Sequence, residues 1–307
     1  MATIAQIANL VDCGTNALGT GTKGCEDILT RVTSLYLTKR GFIYDASEDF
    51  SEAYIQQLQA EKKLIILKDV KELTPSLEED VKETGEDGVM YVTRKGLYSF
   101  QAKFRNGFAF ESALASLRSF GAYDVSFVDY TGNVLGTVSG TSFKGFSLGM
   151  LENDGITMAN NSTRQSQSVS FQFIERDELD VDSFYISNTV LDWKPQRQEG
   201  VNQVKLDFTA TPADAGTTIS VKATLRQGGG VVTGAAFGDF LLTVDGVTGN
   251  PTAGDDSTTA GTYVLTVAAL STNEVLAISL YDNAESRAVI SLDTDLYQSN
   301  TATSTVV

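Results

Sequence analysis

The stretch that decides the fold is Tyr98-Ser99-Phe100-Gln101-Ala102-Lys103-Phe104-Arg105. Its apolar side chains occupy every second position, and polar side chains occupy the positions between them. This period of two is typical of an antiparallel strand with one face buried and one face in water. Residues 168–174 alternate in the same way. Because half-buried strands need other strands beside them and an apolar layer beneath them, we expect a mainly β domain around this stretch.

One good helix is predicted to lie against this domain. Residues 108–120 place Phe110, Ala113, Leu114 and Leu117 at helical spacing, and Gly121 follows as a C-cap. Weaker patterns predict short helices over residues 2–11 and 51–62. Further strands are predicted over 28–37, 64–67, 124–128, 134–138 and 143–150. The N-terminal domain is therefore predicted to be an antiparallel β-sandwich or barrel of about seven strands with one flanking α-helix.

Residues 69–88 form the most charged part of the chain. Glutamate and aspartate dominate this stretch, and lysine is present only at Lys71 and Lys82. The simplest interpretation is a solvated loop. Loops longer than about 12–15 residues usually have a function, so the second interpretation is an excursion that reaches a neighbouring subunit. The candidate contact residues are Glu72, Glu78, Glu79, Asp80 and Glu83.

A polar segment separates this domain from the rest of the chain. It runs Trp193-Lys194-Pro195-Gln196-Arg197-Gln198-Glu199-Gly200, and its proline and glycine do not fit a central strand or a continued helix. We predict an assembly domain over residues 1–193, a linker over 194–200, a second domain over 201–298 and a flexible tail over 299–307. Trp193, Pro195 and Gly200 mark the interdomain joint, with Trp193 anchoring the end of the first domain.

The second domain is predicted to be an immunoglobulin-like β-sandwich. Short alternating stretches separated by turns extend through residues 203–293, at the spacing that such sandwiches show. The Cys-Trp-Cys arrangement of antibody domains is absent, so this is the kind of sandwich that has no disulfide.

The amino-acid composition argues against enzymatic catalysis. The chain of 307 residues contains no histidine, which removes the usual general base and nearly all catalytic zinc sites. We therefore expect no enzymatic activity, no catalytic residue, no cofactor and no metal. The acidic stretch 175–182 lacks the spacing of a calcium loop. Gly19-Thr20-Gly21-Thr22-Lys23-Gly24 matches a dinucleotide pattern, but no predicted strand precedes it.

Charge and cysteine content indicate where the protein works. The net charge is −16, so gripping of nucleic-acid phosphates is not expected. Cys13 and Cys25 are expected to be free thiols in a reducing compartment. The N-terminal residues lack the pattern of a secretory signal, and no apolar run is long enough to span a membrane.

The arrangement resembles the major tail (tail tube) proteins of tailed bacteriophages. The likeness rests on the strands 98–105 and 168–174, the helix 108–120, and the module after residue 201, whose strand Gly261-Thr262-Tyr263-Val264-Leu265-Thr266-Val267 is typical of bacterial-type immunoglobulin-like domains. The resemblance implies homo-oligomeric, hexameric rings that stack around a DNA channel, with the immunoglobulin-like domain displayed outside. It also implies other virion proteins as partners, assembly in the bacterial host cytoplasm, and no membrane.

Three alternatives stay open. The first is another phage structural protein, such as a capsid-decorating or portal-associated head protein. The second is a glycan-binding surface adhesin, and the third is a hydrolase that uses carboxylates. Within the tail tube interpretation, the acidic stretch 69–88 is the expected contact between rings. Lys103 and Arg105 lie on the polar face of their strand, so that strand does not fit the simplest picture of an acidic channel lining.

Overall fold

A computed structural model describes Ile4 and residues 29–86, 88–117, 122–140, 142–162, 164–226, 229–284, 286–293 and 295–307. Within these residues the protein is mainly β, with mostly antiparallel sheets and short helices, which confirms the predicted fold class. The predicted N-terminal helix apart from Ile4, the glycine-rich stretch, both cysteines and Gly121 lie outside the described residues. The chain divides into two compact units, residues 1–55 with 63–198 and residues 56–62 with 199–307.

Among the residues that the structure describes, the first unit contains a large antiparallel sheet and short α-helices. The helices are α1 (Glu52–Ala60), which belongs to the second unit from Gln56 onward, α2 (Phe108–Ala115) and α3 (Asp177–Asp180). The strands are β1 (Val32–Lys39), β2 (Leu64–Lys68), β3 (Glu72–Leu77), β4 (Val81–Thr84), β5 (Met90–Arg94), β6 (Tyr98–Phe104), β7 (Tyr123–Asp129), β8 (Val134–Ser139), β9 (Ser142–Lys144), β10 (Phe146–Thr157), β11 (Ser166–Phe173) and β12 (Ser183–Ile186).

The long strand β10 joins the two halves of this sheet. Its first residues, Phe146 and Ser147, pair with β7, and the rest of the strand pairs with β11. Register shifts after Leu148 and Asn153 mark bulges, which bend a strand and increase its twist. The sheet therefore turns at β10, and the order of its main path is β12-β8-β7-β10-β11-β6-β3.

Phenylalanine side chains from both halves meet inside the bend. Phe127 of β7 lies 5.4 Å from Phe100 of β6 and 6.2 Å from Phe171 of β11, measured between ring centroids. Phe146 and Phe173 stack at 4.9 Å. All five rings are buried. Because β7 and the pair β6–β11 belong to opposite halves, these contacts close the sheet on itself as a sandwich.

The opposite face of β7 and β1 is covered by a second apolar layer. Tyr44 and Phe143 lie 5.2 Å apart there, and Phe50 lies 6.0 Å from Trp193. Both faces of β7 are therefore buried, which explains why its pattern over residues 123–129 is almost uniformly buried rather than alternating.

A buried aspartate fixes the turn between β7 and β8. Asp129 accepts hydrogen bonds from the backbone of Thr30, Thr131, Gly132 and Asn133 at 2.8–3.1 Å, and from side chains of three of them. Burial acts to raise the pKa of Asp129, but these hydrogen bonds outweigh it and the pKa lies below its usual value. The ionised carboxylate therefore holds the first strand and the hairpin together.

The second unit is a β-sandwich of two sheets. One sheet has the order β17-β18-β14-β13-β21-β20 and the other the order β16-β15-β19-β22. Their apolar side chains form one core around Phe240 and Tyr263, whose rings lie 5.1 Å apart. The strands are β13 (Val201–Phe208), β14 (Thr218–Leu225), β15 (Phe240–Val244), β16 (Val247–Thr248), β17 (Ala253–Thr259), β18 (Thr262–Thr266), β19 (Val275–Leu280), β20 (Ile290–Leu292), β21 (Asp295–Ser299) and β22 (Ala302–Thr305).

The structure corrects the predicted tail. Residues 299–307 were expected to be flexible, but β22 pairs with β19 and Val306 is buried in the core. Ala302 and Val306 supply the apolar contacts that hold this segment, and the Ser/Thr content of the tail misled the prediction because these residues suit an exposed strand face. The C-terminal segment is thus a strand of the second sandwich.

Asp129→Asn is predicted to destabilise the first unit by about 2 kcal/mol at neutral pH, because donors that face a carboxylate lose their charged acceptor. The pKa of Asp129 is depressed in the folded state, so its contribution is present above its unfolded pKa and is lost as pH falls through the folded value. Urea unfolding should show a difference between variant and wild type that shrinks below about pH 4. A difference that is constant with pH would contradict this role.

Candidate subunit-contact site

The charged excursion predicted as a loop is a two-part β-arm. Strand β3 pairs with β6 from Glu72↔Lys103 to Leu77↔Tyr98, at the edge of the main sheet. Beyond this point β4 and β5 form a separate two-stranded sheet, and at its end the Gly85 amide donates to the Val89 carbonyl at 2.8 Å. We call residues 78–97 the arm. The loop prediction was wrong because the charged residues face water on a regular hairpin.

The arm exposes apolar side chains. Val81, Met90, Tyr91 and Val92 have exposed fractions of 46–64%, and every residue of β4 and β5 is exposed. A two-stranded hairpin is at best marginally stable alone in water, because it has no apolar layer to bury. Exposed apolar clusters on a protruding element mark interaction sites. This surface is what the sequence reasoning missed, and the run Val89-Met90-Tyr91-Val92 was its signal.

The predicted acidic contact residues divide into two groups. Glu72 forms an ion pair with Lys103 at 3.0 Å, Glu78 accepts from Gln172 at 3.1 Å, and Asp80 pairs with Arg176 at 2.9 Å. These three carboxylates are used inside the first unit. Glu79 and Glu83 are exposed. The structure therefore gives the acids of the arm base an internal role, and the arm itself exposes charged side chains together with the apolar side chains of Val81, Met90, Tyr91 and Val92.

Arg176 lies at the base of the arm. Its Nε donates to Asp180 at 2.6 Å and its Nη1 donates to Asp80 at 2.9 Å. Its guanidinium lies 5.9 Å from the centre of the Tyr98 ring, and the Tyr98 hydroxyl donates to Asp180 at 2.8 Å. The acidic stretch 175–182 thus contributes α3, whose carboxylates bind side chains of the first unit.

The hydrogen bonds around Arg176 shift the pKa values of Asp180 and Tyr98. Partial burial acts to raise the pKa of Asp180, but hydrogen bonds from Arg176 and Tyr98 outweigh it and hold the pKa below its usual value. The same hydrogen bond to Asp180 raises the pKa of Tyr98. Both shifts favour a charged Asp180 and a neutral Tyr98 at physiological pH.

The water-facing side of β6, β10 and β11 is polar and internally hydrogen-bonded. Asp154 accepts from Gln101 at 2.9 Å and from Ser170 at 2.6 Å. Lys103 is neutralised by Glu72, and this hydrogen-bonded pair lowers the pKa of Glu72. The face therefore presents amides, hydroxyls, the Asp154 carboxylate and the Lys103–Glu72 ion pair.

A cluster of polar side chains around Asp124 is buried between β1 and β7 and is the second candidate for a functional site. Asp124 lies opposite Thr38, and its Oδ2 accepts from the Gly41 amide at 2.7 Å. Its Oδ1 and the hydroxyls of Thr38, Ser126 and Tyr44 are buried without a hydrogen-bond partner. Burial raises the pKa of Asp124 to about 6, and the nearby Glu178 adds to this effect, whereas the Gly41 bond, Lys144 and Arg40 oppose it.

Two of the three residues predicted to mark the interdomain joint are buried. Trp193 is buried, and its indole Nε1 donates to the Phe50 carbonyl at 2.7 Å. Pro195 is also buried within a short 3-10 helix, and its carbonyl accepts from the Tyr36 hydroxyl at 2.8 Å. Gly200 precedes β13. The first part of the segment predicted as a linker is therefore packed in the first unit.

Within the ranges that the structure describes, no cluster of three or more histidine, cysteine, aspartate or glutamate side chains is placed to hold a metal ion. Among the same residues, no helix is long and apolar enough to cross a membrane.

No family model and no curated protein sequence matches the chain. Two solved structures show a distant likeness at 11% sequence identity. One is a polysaccharide lyase with a TM-score of 0.19, and 95% of this chain aligns to 42% of it. The other is SGBP-B of the Bacteroides ovatus mixed-linkage glucan utilization locus, in complex with a mixed-linkage heptasaccharide, with a TM-score of 0.20 and coverages of 80% and 62%. This chain thus spans less than two thirds of either structure, and at these TM-scores the likeness carries no argument.

Asp124→Asn is predicted to stabilise the protein at neutral pH by about 1–2 kcal/mol, because the folded state raises the pKa of this carboxyl and its ionisation opposes folding above about pH 6. The amide oxygen of asparagine still accepts from Gly41. Urea unfolding should show the gain growing between about pH 4 and about pH 6 and staying constant from there to about pH 8.

The surface variant Asp207→Asn is the control, since Asp207 is about half exposed and forms a surface ion pair with Lys205. An equal gain in both variants, or a loss in Asp124→Asn at neutral pH, would show that Asp124 is not the titrating group.

Proposed function

We propose that this protein is a structural subunit that assembles with copies of itself through the arm, and that it serves as the tail tube subunit of a virion. The observation that carries self-assembly is the arm, a protruding hairpin whose apolar side chains are exposed in the single chain. In this role the chain performs no catalysis, and other virion proteins contact the assembled rings.

The arm is suited to a partner of similar chemistry. Its side chains combine apolar contacts at Val81, Met90 and Val92 with open strand edges on β4 and β5, which offer backbone donors and acceptors to another strand. A partner that covers this hairpin supplies the layer that a two-stranded sheet lacks. A second copy of the chain supplies such a partner in every subunit, and a contact between two different surfaces repeats into a ring when the rotation closes.

The polar face of the first unit supports the channel part of the proposal. Gln101, Ser170 and Asp154 form a continuous hydrogen-bonded surface on adjacent strands, and Lys103 is held by Glu72. A polyanion binds tightly where unpaired cations neutralise its phosphates. A face with paired charges in a protein of net charge −16 instead lets DNA pass without specific binding. In this arrangement the second unit is displayed outside the ring.

A glycan-binding adhesin is the second candidate, and one loop region of the second unit favours it. Phe237 is 41% exposed, and the Asn283 amide donates to the carbonyl of the next residue, Gly238. Asn250 donates to the Asn283 side-chain oxygen at 3.3 Å. An exposed ring in the same loop region as exposed amides offers partners for the apolar face and the hydroxyls of a sugar.

The arm is tested by replacing Met90 and Val92, which lie on the same side of β5, with serine. Removal of both apolar contacts is expected to weaken self-association by roughly a hundredfold. Sedimentation velocity over a concentration series measures the association, and negative-stain microscopy shows whether wild-type rings stack. The thermal unfolding of the variant should match that of wild type, since both side chains are exposed.

The matched control is Lys82→Gln with Thr84→Ser, which changes the positions opposite Val92 and Met90 on β4 and leaves the apolar surface intact. This control should assemble like wild type. A wild-type protein that stays monomeric at all concentrations, or an arm variant that assembles normally, would reject the proposal.

The adhesin is tested with Phe237→Ala. If the second unit binds glycans, retention of wild type on immobilised polysaccharides in affinity electrophoresis should be lost in this variant, because stacking on the ring contributes much of such binding. The variant Val247→Ala, which removes another exposed apolar side chain of the same unit, is the control. Absence of retention for wild type on a broad polysaccharide set would reject the adhesin.

A further inference from the structure

The arm and the main sheet are separate sheets joined by a short irregular connection. The ladder of β3 and β6 ends at Leu77↔Tyr98, and the ladder of β4 and β5 begins at Val81↔Arg94. Between them one backbone hydrogen bond, from Glu78 N to Leu97 O at 3.1 Å, continues the pairing. Such a break in the ladder is where a hairpin changes direction most easily, because few hydrogen bonds resist the bending.

Side chains hold this connection from the side of α3. Asp80 Oδ1 accepts from the Gly96 amide at 2.8 Å across the connection and from Arg176 at 2.9 Å. Lys95 forms a second bridge, to Asp177 at 2.6 Å. Gly96 is buried, and a Cβ atom there would overlap the Glu78 carbonyl, so the two chains of the connection pass in close contact.

Among the side chains at the base of the arm, Arg176 carries the charge that two carboxylates share. Asp80 at the arm base and Asp180 on α3 both contact its guanidinium, so the two carboxylates are held together only while this cation lies between them. Arginine suits this position because its planar group donates in two directions at once. The three side chains are only 24–31% exposed, so water screens them less than a surface pair.

We propose that Arg176 is an ionic latch that fixes the direction in which the arm leaves the first unit. The latch attaches Asp80 to α3 through one guanidinium, with Tyr98 stacked against it and the Lys95–Asp177 bridge beside it. Opening the latch leaves two carboxylates facing each other, which drives the arm base away from α3. High salt weakens the latch, so the arm direction, and with it docking to a second copy, depends on ionic strength.

The test uses the Met90→Ser/Val92→Ser chain, which keeps the arm free of a partner, and measures amide hydrogen exchange. Adding Arg176→Gln should accelerate exchange in the arm by about tenfold. Amides of β7 and β11 should keep their rates. Raising salt from about 0.05 M to about 1 M should accelerate arm exchange in the parent chain and much less in the Arg176→Gln chain.

Charge pairing is separated from simple loss of packing by a double-mutant cycle. Asp80→Asn alone should also accelerate arm exchange, and Arg176→Gln with Asp80→Asn should be no faster than either single change, because the repulsion is gone. Lys205→Gln, which breaks a surface ion pair of the second unit, should change nothing. Unchanged arm exchange in Arg176→Gln, additive effects in the cycle, or faster exchange throughout the first unit would each overturn the latch.

The consequence for assembly rests on the proposed function, but the exchange measurement does not. In a chain that retains Met90 and Val92, Arg176→Gln should weaken self-association, and Lys205→Gln should leave it unchanged. A chain that never self-associates but shows the predicted exchange pattern would reject the assembly proposal and keep the latch. Normal self-association together with a released arm would show that the direction of the arm does not control docking.

Discussion

The contact of Phe127 with Phe100 and Phe171 is the interaction on which the first unit depends. These rings come from strands that are distant in sequence, and they meet because β10 bends and pairs with β7 at one end and β11 along the rest. Buried aromatic pairs contribute both apolar area and a preferred geometry. Without this contact the two halves of the sheet would be an open, twisted surface with one apolar face in water.

The closure of the sheet into a sandwich also determines which surfaces of the first unit face water. Once the apolar faces of β6, β7 and β11 are buried against each other, the polar faces of β6 and β11 face water, and the arm extends beyond the edge strand β3. The core thus leaves the arm without an apolar layer of its own. The exposed hairpin β4–β5 and the ion pairs of Arg176 at its base are therefore the features on which we base the proposal of a partner-binding arm.

Several elements were readable from the chain because their pattern is local. The alternation in residues 98–105 and 168–174 predicted β6 and β11, since a period of two has one structural solution when one face is buried. The strand predicted over residues 124–128 lies within β7, and Asp129 stabilises the turn that follows it through hydrogen bonds within the turn itself. The strand content of the second unit followed from the spacing of its turns.

Other features were missed because their signal is not local. β22 needs β19 as a partner, and the exposed β4–β5 hairpin has the same apolar pattern as a buried strand.

The sequence by itself determined the mainly β class, the polar and apolar faces of the long strands and the absence of histidine, and it predicted a linker over residues 194–200. Tertiary structure alone decided which charges are paired. Asp80 and Arg176 are 96 residues apart, and nothing in the local pattern of either stretch indicates that they meet. It also decided that Asp124 is buried opposite Thr38. The physical reason is that ion pairing and desolvation depend on distances in space, whereas periodicity depends only on neighbours along the chain.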